Sequence, residues 1–474
     1  MLKHKKKTKI IATIGPSTEK QSVLRNMISS GVDIFRINFS HGEHAVLQKS
    51  IDSIRVLNKE MKTCVGILGD LQGPKLRIGK VKENNIILEN EAIITITNKE
   101  ILSNKDILYL DYPYLIQDIK KGETVLIDDG KIELQIIEYV DENHLQAKVI
   151  QGGNLSSHKG FNIPYSQLQI ENITQKDRED LTFALKNNLD WIALSFVQES
   201  EDIIKLRSYM GNRTTKIIAK IEKPKAIEKI DTIIQEADGI MVARGDLGVE
   251  MNIEKVPIIQ KQIVEKCLAS YKPVIIATQM MESMISQASP TRAEVNDVAN
   301  AVIDGADAVM LSAETSIGEH PIEVIRKMTN IIKYTENNWD IYNKNFITSP
   351  DSLTFLADNI CLSAVYLAKQ IQAKAIISIT NSGYTAYKIA SHRPSCKIFI
   401  FTSQKHLLTQ LNLLWNVQAY YYDKKSSTDE TITDLISILK KQKEVNPGDL
   451  VINTCAMPIH VNTKTNTLKI STVS

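Results

Sequence analysis

Charged and hydroxyl side chains recur in this chain at one kind of place, the ends of short apolar, β-branched runs. Arg36, Asn38 and Ser40 interrupt or follow one run and Asp70 another. Ser195, Lys220 with Glu222, Arg244 with Asp246, Thr278, and Ser312 with Glu314 follow in turn. Charges are costly in a dry interior, and any one of these alone could be a structural ion pair. Burying them all together gains little unless a charged ligand and a metal complete the set. The carboxylates of Glu222 and Asp246 suit a hard divalent cation that keeps several waters and takes its other ligands from the substrate, the habit of Mg2+ or Mn2+. Lys220, Arg36 and Arg77 supply positive charge for a phosphoryl group in transit, a reaction that needs mainly positioning and charge neutralisation. In Ala243-Arg244-Gly245-Asp246-Leu247-Gly248 the glycines let an anion approach backbone N–H groups, although Gly-Asp pairs also mark plain turns.

Such residues meet only if the runs that carry them are adjacent strands. Eight runs read as strands: Thr8 to Ile14, Asp33 to Phe39, Cys64 to Leu68, Trp191 to Phe196, Lys216 to Ile221, Gly239 to Ala243, Pro273 to Thr278 and Ala308 to Leu311. Stretches of helical period alternate with them, so the strands are parallel and joined by crossover helices. Eight units in order predict an α/β fold with a (β/α)8 TIM barrel, whose active face is the C-terminal ends of its strands. Between the third and fourth units, from Ile78 to about Ile170, the helical rhythm gives way to alternating strands with turns at Asp129-Gly130 and Gly152-Gly153, an inserted small β-barrel domain. A helix to about Asn338 closes the large barrel, Asn343 to Asp351 reads as a linker, and a C-terminal α/β domain follows, ending in a strand over Thr463 to Ser474. The expected domains are 1–73 with 171–342, 74–170, and 343–474.

Composition fits this reading. At 474 residues the chain is too long for one ordinary core, and 43% hydrophobic with 24% charged residues is the profile of a globular enzyme. The 57 basic and 55 acidic side chains leave a formal charge of +2, too balanced a field to gather nucleic acid or anionic lipid. No window approaches the roughly 18 apolar residues of a membrane span, and a cytoplasmic location is expected. Five scattered cysteines without CxxC spacing read as buried reduced thiols.

Together the runs Lys9-Ile-Ile-Ala-Thr-Ile-Gly-Pro16, Arg36-Ile-Asn-Phe-Ser-His-Gly42, Asp70-Leu-Gln-Gly-Pro-Lys-Leu-Arg77, Ala219-Lys-Ile-Glu222, Met241-Val-Ala-Arg-Gly-Asp-Leu-Gly-Val-Glu250, Ala277-Thr-Gln-Met-Met-Glu-Ser-Met284 and Met310-Leu-Ser-Ala-Glu-Thr315 closely resemble the pyruvate kinase family, over nearly the whole chain. The resemblance implies transfer of a phosphoryl group between phosphoenolpyruvate and ADP, yielding pyruvate and ATP. It implies that Glu222 and Asp246 hold the divalent metal, that Lys220 neutralises the phosphoryl and the enolate, and that Arg36 assists at the phosphate. Thr278 would lie beside the carbon that is protonated, orienting a water with Ser312. The Arg244, Gly245 and Asp246 backbone, with Ser195 nearby, would take the substrate carboxylate. Pro16, Asn38, His41, Arg77 and Lys159 would surround the nucleotide and a second Mg2+, under an insert that closes to exclude water. Family habit also implies a homotetramer.

In the potassium-requiring branch of that family a glutamate follows Gly-Pro and a hydroxyl residue follows the aspartate. Here the positions are Lys75 and Leu71. A fixed ammonium supplies the same single positive charge as K+, so K+ independence is expected, with Asn38, Ser40 and Asp70 holding Lys75. Thr380, Asn381, Ser382, Gly383 and Thr385 follow a strand and open a helix. They resemble the phosphate loop of regulated members, although a plain helix N-terminus would look the same. Residues 455–467 lack the Gly-rich loop of fructose 1,6-bisphosphate-sensitive relatives, which favours a sugar monophosphate or AMP as effector. A metal-dependent aldolase of pyruvate enolate would share the carboxylate pair and an arginine but leaves the insert and Asp70 to Arg77 without a role. An inactive scaffold would not need Lys220, Glu222, Asp246 and Thr278 together.

Overall fold

The computed structural model describes residues 6–40, 42–164, 169, 171–341, 352–424, 427–457 and 463–474. Eight parallel strands close into a barrel: Lys9–Thr13, Ile34–Asn38, Gly66–Asp70, Trp191–Leu194, Lys216–Ile221, Gly239–Ala243, Val274–Ala277 and Ala308–Leu311. Closure is made where the last strand pairs with the first, Lys9 opposite Ala308. Both faces are covered, which is why these strands read as unbroken apolar runs. Alternate residues part company: Ile11, Ile34, Leu68, Trp191, Ile218, Met241 and Ile275 fill the interior, while Ile10, Phe35, Ile67, Ile192 and Ile276 pack outward under the helices. The expected third strand lies two residues later than read, so Asp70 is its last residue rather than two residues past its end.

The chain leaves the barrel after Asp70 and returns at Trp191. Within the excursion a six-stranded sheet runs in the order Phe161–Asn162, Thr124–Ile127, Ile132–Tyr139, His144–Gln151, Ile93–Thr97, Ile107–Tyr109, and Gly153–Leu155 pairs with Ile86–Leu88 beside it. Its two edges are joined by one stretch of chain, since Phe161 N–H donates to Leu76 O (3.0 Å), Ile78 N–H to Lys159 O (2.9 Å) and Gly79 N–H to Tyr109 O (2.9 Å). The small barrel therefore closes through single bridges, Arg77 to Gly160 and Ile78 to Leu110. It encloses its own core, including Ile96, Leu108, Leu134 and Val149.

The helix Pro321–Asn338 ends the large barrel as expected; the expected linker over 343–350 and Asp351 lies outside the described residues. Five strands follow, in the order Val417–Tyr421, Lys397–Thr402, Ala375–Ile379, Leu450–Cys455, Thr467–Thr472, parallel except for the last. This body sits on the face of the large barrel from which the strands start. Arg393 is 2.9 Å from Asp307, Trp415 N–H donates to the other oxygen of Asp307 (3.0 Å), and Asn412 donates to Asp33 O (2.9 Å). The insert meets the opposite face, where Asn162 donates to Glu250 (2.8 Å). All five cysteines are free, four of them buried. No helix among the described residues is long and apolar enough to cross a membrane.

Candidate active site

The strand register brings four charges together at the mouth of the barrel. Arg36 lies opposite Leu68, with Asp70 two residues on, and Lys220 lies opposite Met241, three residues before Arg244. Arg36 Nε donates to Asp70 Oδ2 (2.7 Å) and its Nη1 to Thr13 Oγ1 (3.0 Å). Lys220 Nζ lies 3.2 Å from the other oxygen of Asp70 and 3.0 Å from Glu222 Oε1, and it donates to Ser195 Oγ (2.8 Å). Asp70 and Glu222 are each only 1% exposed.

Electrostatics follow from this packing. Burial alone would lower the Lys220 ammonium's affinity for its proton, but the carboxylates of Asp70 and Glu222 outweigh it and hold its pKa above the ordinary lysine value. Burial would push Asp70 up, and Lys220 with Arg36 bring it below the usual carboxylate range. Glu222 is raised, first by burial and further by the negative charge of Asp246, with Lys220 opposing. Glu222 and Asp246 are thus near enough to repel each other. A divalent cation between them would relieve that repulsion, so this donor pair fits the ion expected from sequence. Among the described residues no cluster of three or more His, Cys, Asp or Glu side chains could hold a metal without substrate.

The loop after the sixth strand is a short helix, Arg244–Glu250, that starts against the seventh. The Gly245 N–H donates to Thr278 Oγ1 (2.7 Å), and that hydroxyl donates to Ala277 O (2.6 Å). Thr278 has φ +67°, a left-handed conformation rare for a β-branched residue, and the neighbouring hydrogen bonds hold it there. The Arg244 side chain turns away from the mouth: both terminal nitrogens grip Asp297, at 2.6 and 2.7 Å, and Nη2 also donates to Thr278 O (2.7 Å). Arg244 therefore has only its backbone to offer a ligand. Ser312 donates its N–H to Glu314 Oε2 (2.6 Å), whose other oxygen accepts from Met281 N–H (3.3 Å), so Glu314 ties the last two loops together.

Lys75 departs from expectation. Its ammonium lies 3.2 Å from Asp246 Oδ1 and 4.0 Å from Asp129 of the insert, and no described ion pair joins it to Asp70. The reason is that Arg36 and Lys220 already occupy both oxygens of Asp70. Asn38 accepts from Ser40 N–H (3.1 Å), and Leu71 is buried in the apolar core. Lys159 pairs with Asp128 (2.8 Å), Arg77 donates to His158 O (2.9 Å), and Pro16 is exposed. His41 lies outside the described residues.

Sequence reading missed Thr13, Asp297, Asp129 and the Phe196 N–H, which donates to Glu222 Oε2 (2.7 Å). Phe196 has φ +54°, and nothing in its residue type signals that. In the C-terminal body, Gly383 N–H donates to Thr380 Oγ1 (3.0 Å) ahead of the helix Tyr384–Ser391, and Asn381 and Ser382 are exposed. The Thr385 hydroxyl pairs with that of Thr465 (2.8 Å).

Known proteins share this plan. The model for "Pyruvate kinase, barrel domain" matches residues 5–325 and that for "Pyruvate kinase, alpha/beta domain" residues 358–471. The chain is 38% identical over 472 residues to a pyruvate kinase of Sporosarcina psychrophila (99% of this chain, 80% of the relative). To one of Clostridium perfringens it is 39% identical over 477 residues (98% and 100%). A crystal structure of a pyruvate kinase from Cryptosporidium parvum superposes with a TM-score of 0.92 at 35% identity, covering 99% of this chain and 96% of that one. A closed eight-stranded barrel with a charged mouth, matched from end to end in this way, makes the chain a phosphotransferase that belongs to the pyruvate kinase family.

Proposed function

We propose that the chain moves the phosphoryl group of phosphoenolpyruvate to ADP, giving pyruvate and ATP, with Mg2+ or Mn2+ on Glu222 and Asp246. The observation that carries this is the buried ammonium of Lys220, between Asp70 and Glu222 and within the electrostatic reach of Asp246. When bound, the divalent ion supplies positive charge to the phosphoryl and enolate oxygens. Lys220 and Arg36 face the phosphoryl as its bond to the enol oxygen breaks, and Lys220 then stabilises the enolate left behind. The backbone of the Arg244 to Asp246 turn holds the substrate carboxylate, the Gly245 N–H exchanging Thr278 Oγ1 for it, with Ser195 fixing Lys220. Thr278 and Ser312 orient the water that delivers a proton to the enolate carbon. Pro16, Asn38, His41, Arg77 and Lys159 surround the nucleotide, and the insert excludes bulk water.

The finer readings rest on the same mouth. Residues 1–73 with 171–342 form the catalytic unit, 74–170 the lid and 343–474 the regulatory and oligomerising unit of a cytoplasmic homotetramer. Exposed Tyr334, Trp339, Leu356 and Tyr366 suit subunit contacts. Lys75 makes added K+ unnecessary, with its ammonium in the mouth rather than on Asp70. The loop Thr380 to Thr385 takes the phosphate of a sugar monophosphate or AMP. Pyruvate formation by the purified chain should require phosphoenolpyruvate, ADP and a divalent cation together; product formed without ADP would refute the assignment.

A further inference from the structure

Glu250 ends the helix Arg244–Glu250, four residues after Asp246, and is completely buried. One of its oxygens, Oε1, is used twice. Lys223 Nζ, one residue past Glu222 in the loop after the fifth barrel strand, lies 2.6 Å from it. Asn162 Nδ2, from the strand Phe161–Asn162 at one edge of the insert's sheet, donates to the same oxygen at 2.8 Å. The two loops that carry the proposed metal ligands therefore converge, through a single atom, on one side chain of the insert.

The barrel ends of the insert's two connections are fixed elsewhere. Asp177, also fully buried, accepts from the Gly73 N–H on the way out (3.1 Å) and from the Thr174 N–H and Oγ1 on the way back (2.9 and 2.7 Å). Any swing of the insert must be taken up inside those two points, where Asn162 meets Glu250. That junction is only half satisfied: Asn162 Oδ1 and Glu250 Oε2 are buried and meet no donor among the described residues. A buried carboxylate oxygen without a donor is costly, so a contact built only for stability would pair it. Swinging the insert away breaks one hydrogen bond but returns both oxygens to water, and the two effects offset each other. A cavity of about 50 Å3, lined by Lys75, Asn162, Phe196, Lys223 and Glu250 among others, gives the junction room to move.

We infer that Glu250 is a positioning residue for phosphoryl transfer: held by Lys223, it sets the angle of the insert over the barrel mouth through Asn162. The inference rests on the reading that the nucleotide lies between insert and barrel. Arg77 bridges Gly160, two residues before Asn162, with Lys159 next to it, so the insert's proposed nucleotide contacts share the edge that Glu250 grips. Releasing Asn162 displaces those contacts. The proposed contacts of phosphoenolpyruvate belong to the barrel and stay where they are.

Steady-state kinetics and amide hydrogen exchange of the full chain test this together. Asn162→Ala should raise the KM for ADP by about 10-fold, the loss of one hydrogen bond to a charged group, and leave that for phosphoenolpyruvate within about 2-fold. Without substrates, exchange in peptides spanning residues 71–76 and 160–164 should quicken by about 10-fold in the same variant. Asn162→Asp sets a second carboxylate against Glu250 and should exceed Asn162→Ala in both readouts. Glu250→Gln keeps the accepting oxygen and should stay within about 3-fold of wild type, while Glu250→Leu should match Asn162→Ala. If thermal melting shows that Glu250→Leu does not fold, the two Asn162 variants decide. The exchange measurement needs no turnover, so failure of the junction and failure of the phosphoryl-transfer reading are told apart. Unchanged exchange in Asn162→Ala, equal rises in both KM values, or a milder effect of Asn162→Asp than of Asn162→Ala would overturn the role of Glu250.

Discussion

Lys220 and Glu222, two residues apart at the end of one barrel strand, point the same way and meet with Nζ 3.0 Å from Oε1. A strand's period of two makes that pairing automatic, and the Phe196 N–H on the far oxygen of Glu222 fixes its direction. Removing the ammonium should therefore do two things. Lys220→Met should lower kcat by about 10^3-fold or more in a phosphoenolpyruvate and ADP assay. It should also destabilise the fold by about 3–5 kcal/mol in denaturant titration, because Asp70 and Glu222 lose a buried partner.

Glu222→Gln and Asp246→Asn should each weaken Mn2+ binding, read by electron paramagnetic resonance, beyond the roughly 10–100-fold typical of outer-shell changes. Unchanged Mn2+ affinity in both variants would refute this pair as the ligands, whatever happens to activity.

Thr278 separates phosphoryl transfer from protonation. Thr278→Val keeps the shape and loses the hydroxyl that meets the Gly245 N–H. Solvent hydrogen exchange into pyruvate should drop by about 10^2-fold or more, and Thr278→Ser should restore it.

Lys75 carries the monovalent-cation prediction. In tetramethylammonium buffer, added K+ should leave the wild-type rate unchanged. Lys75→Glu should become K+-stimulated, since the charge then has to come from solution. A many-fold stimulation of the wild type would sink the idea.

Asp190 gives a pH signature of stability. Burial raises its carboxyl to about 6, while Thr409 and the Ile67 N–H oppose that rise. The folded state therefore holds this proton more tightly than the unfolded chain, whose carboxyl titrates near 3.9. Its contribution is complete below about pH 4 and lost as pH rises through about 6. Melting temperatures of Asp190→Asn should lack that decline between about pH 4 and 6.

The eight barrel strands were legible because buried parallel strands are unbroken apolar runs, and Lys216–Ile221, Gly239–Ala243 and Ala308–Leu311 appear in the structure as read. The insert announced itself by loss of helical period. What could not be read were long-range choices among equivalent charges. Arg244 turning to Asp297, and Lys75 choosing Asp246 over an already occupied Asp70, depend on which oxygens are free once the chain is folded. Backbone strain at Thr278 and Phe196 was equally silent, since neither residue type favours φ > 0.

The excursion between the third and fourth barrel strands has a bearing on how the molecule assembles. Leu68 pairs with Trp191, yet roughly 120 residues of polypeptide must first be gathered in, an entropic penalty that a compact insert reduces. Closing the cylinder's wall is thus made easier by the smaller body, whose own ends meet through Leu76 and Phe161. During synthesis the first three strands must wait, half a fold exposed, for a partner that leaves the ribosome well after them.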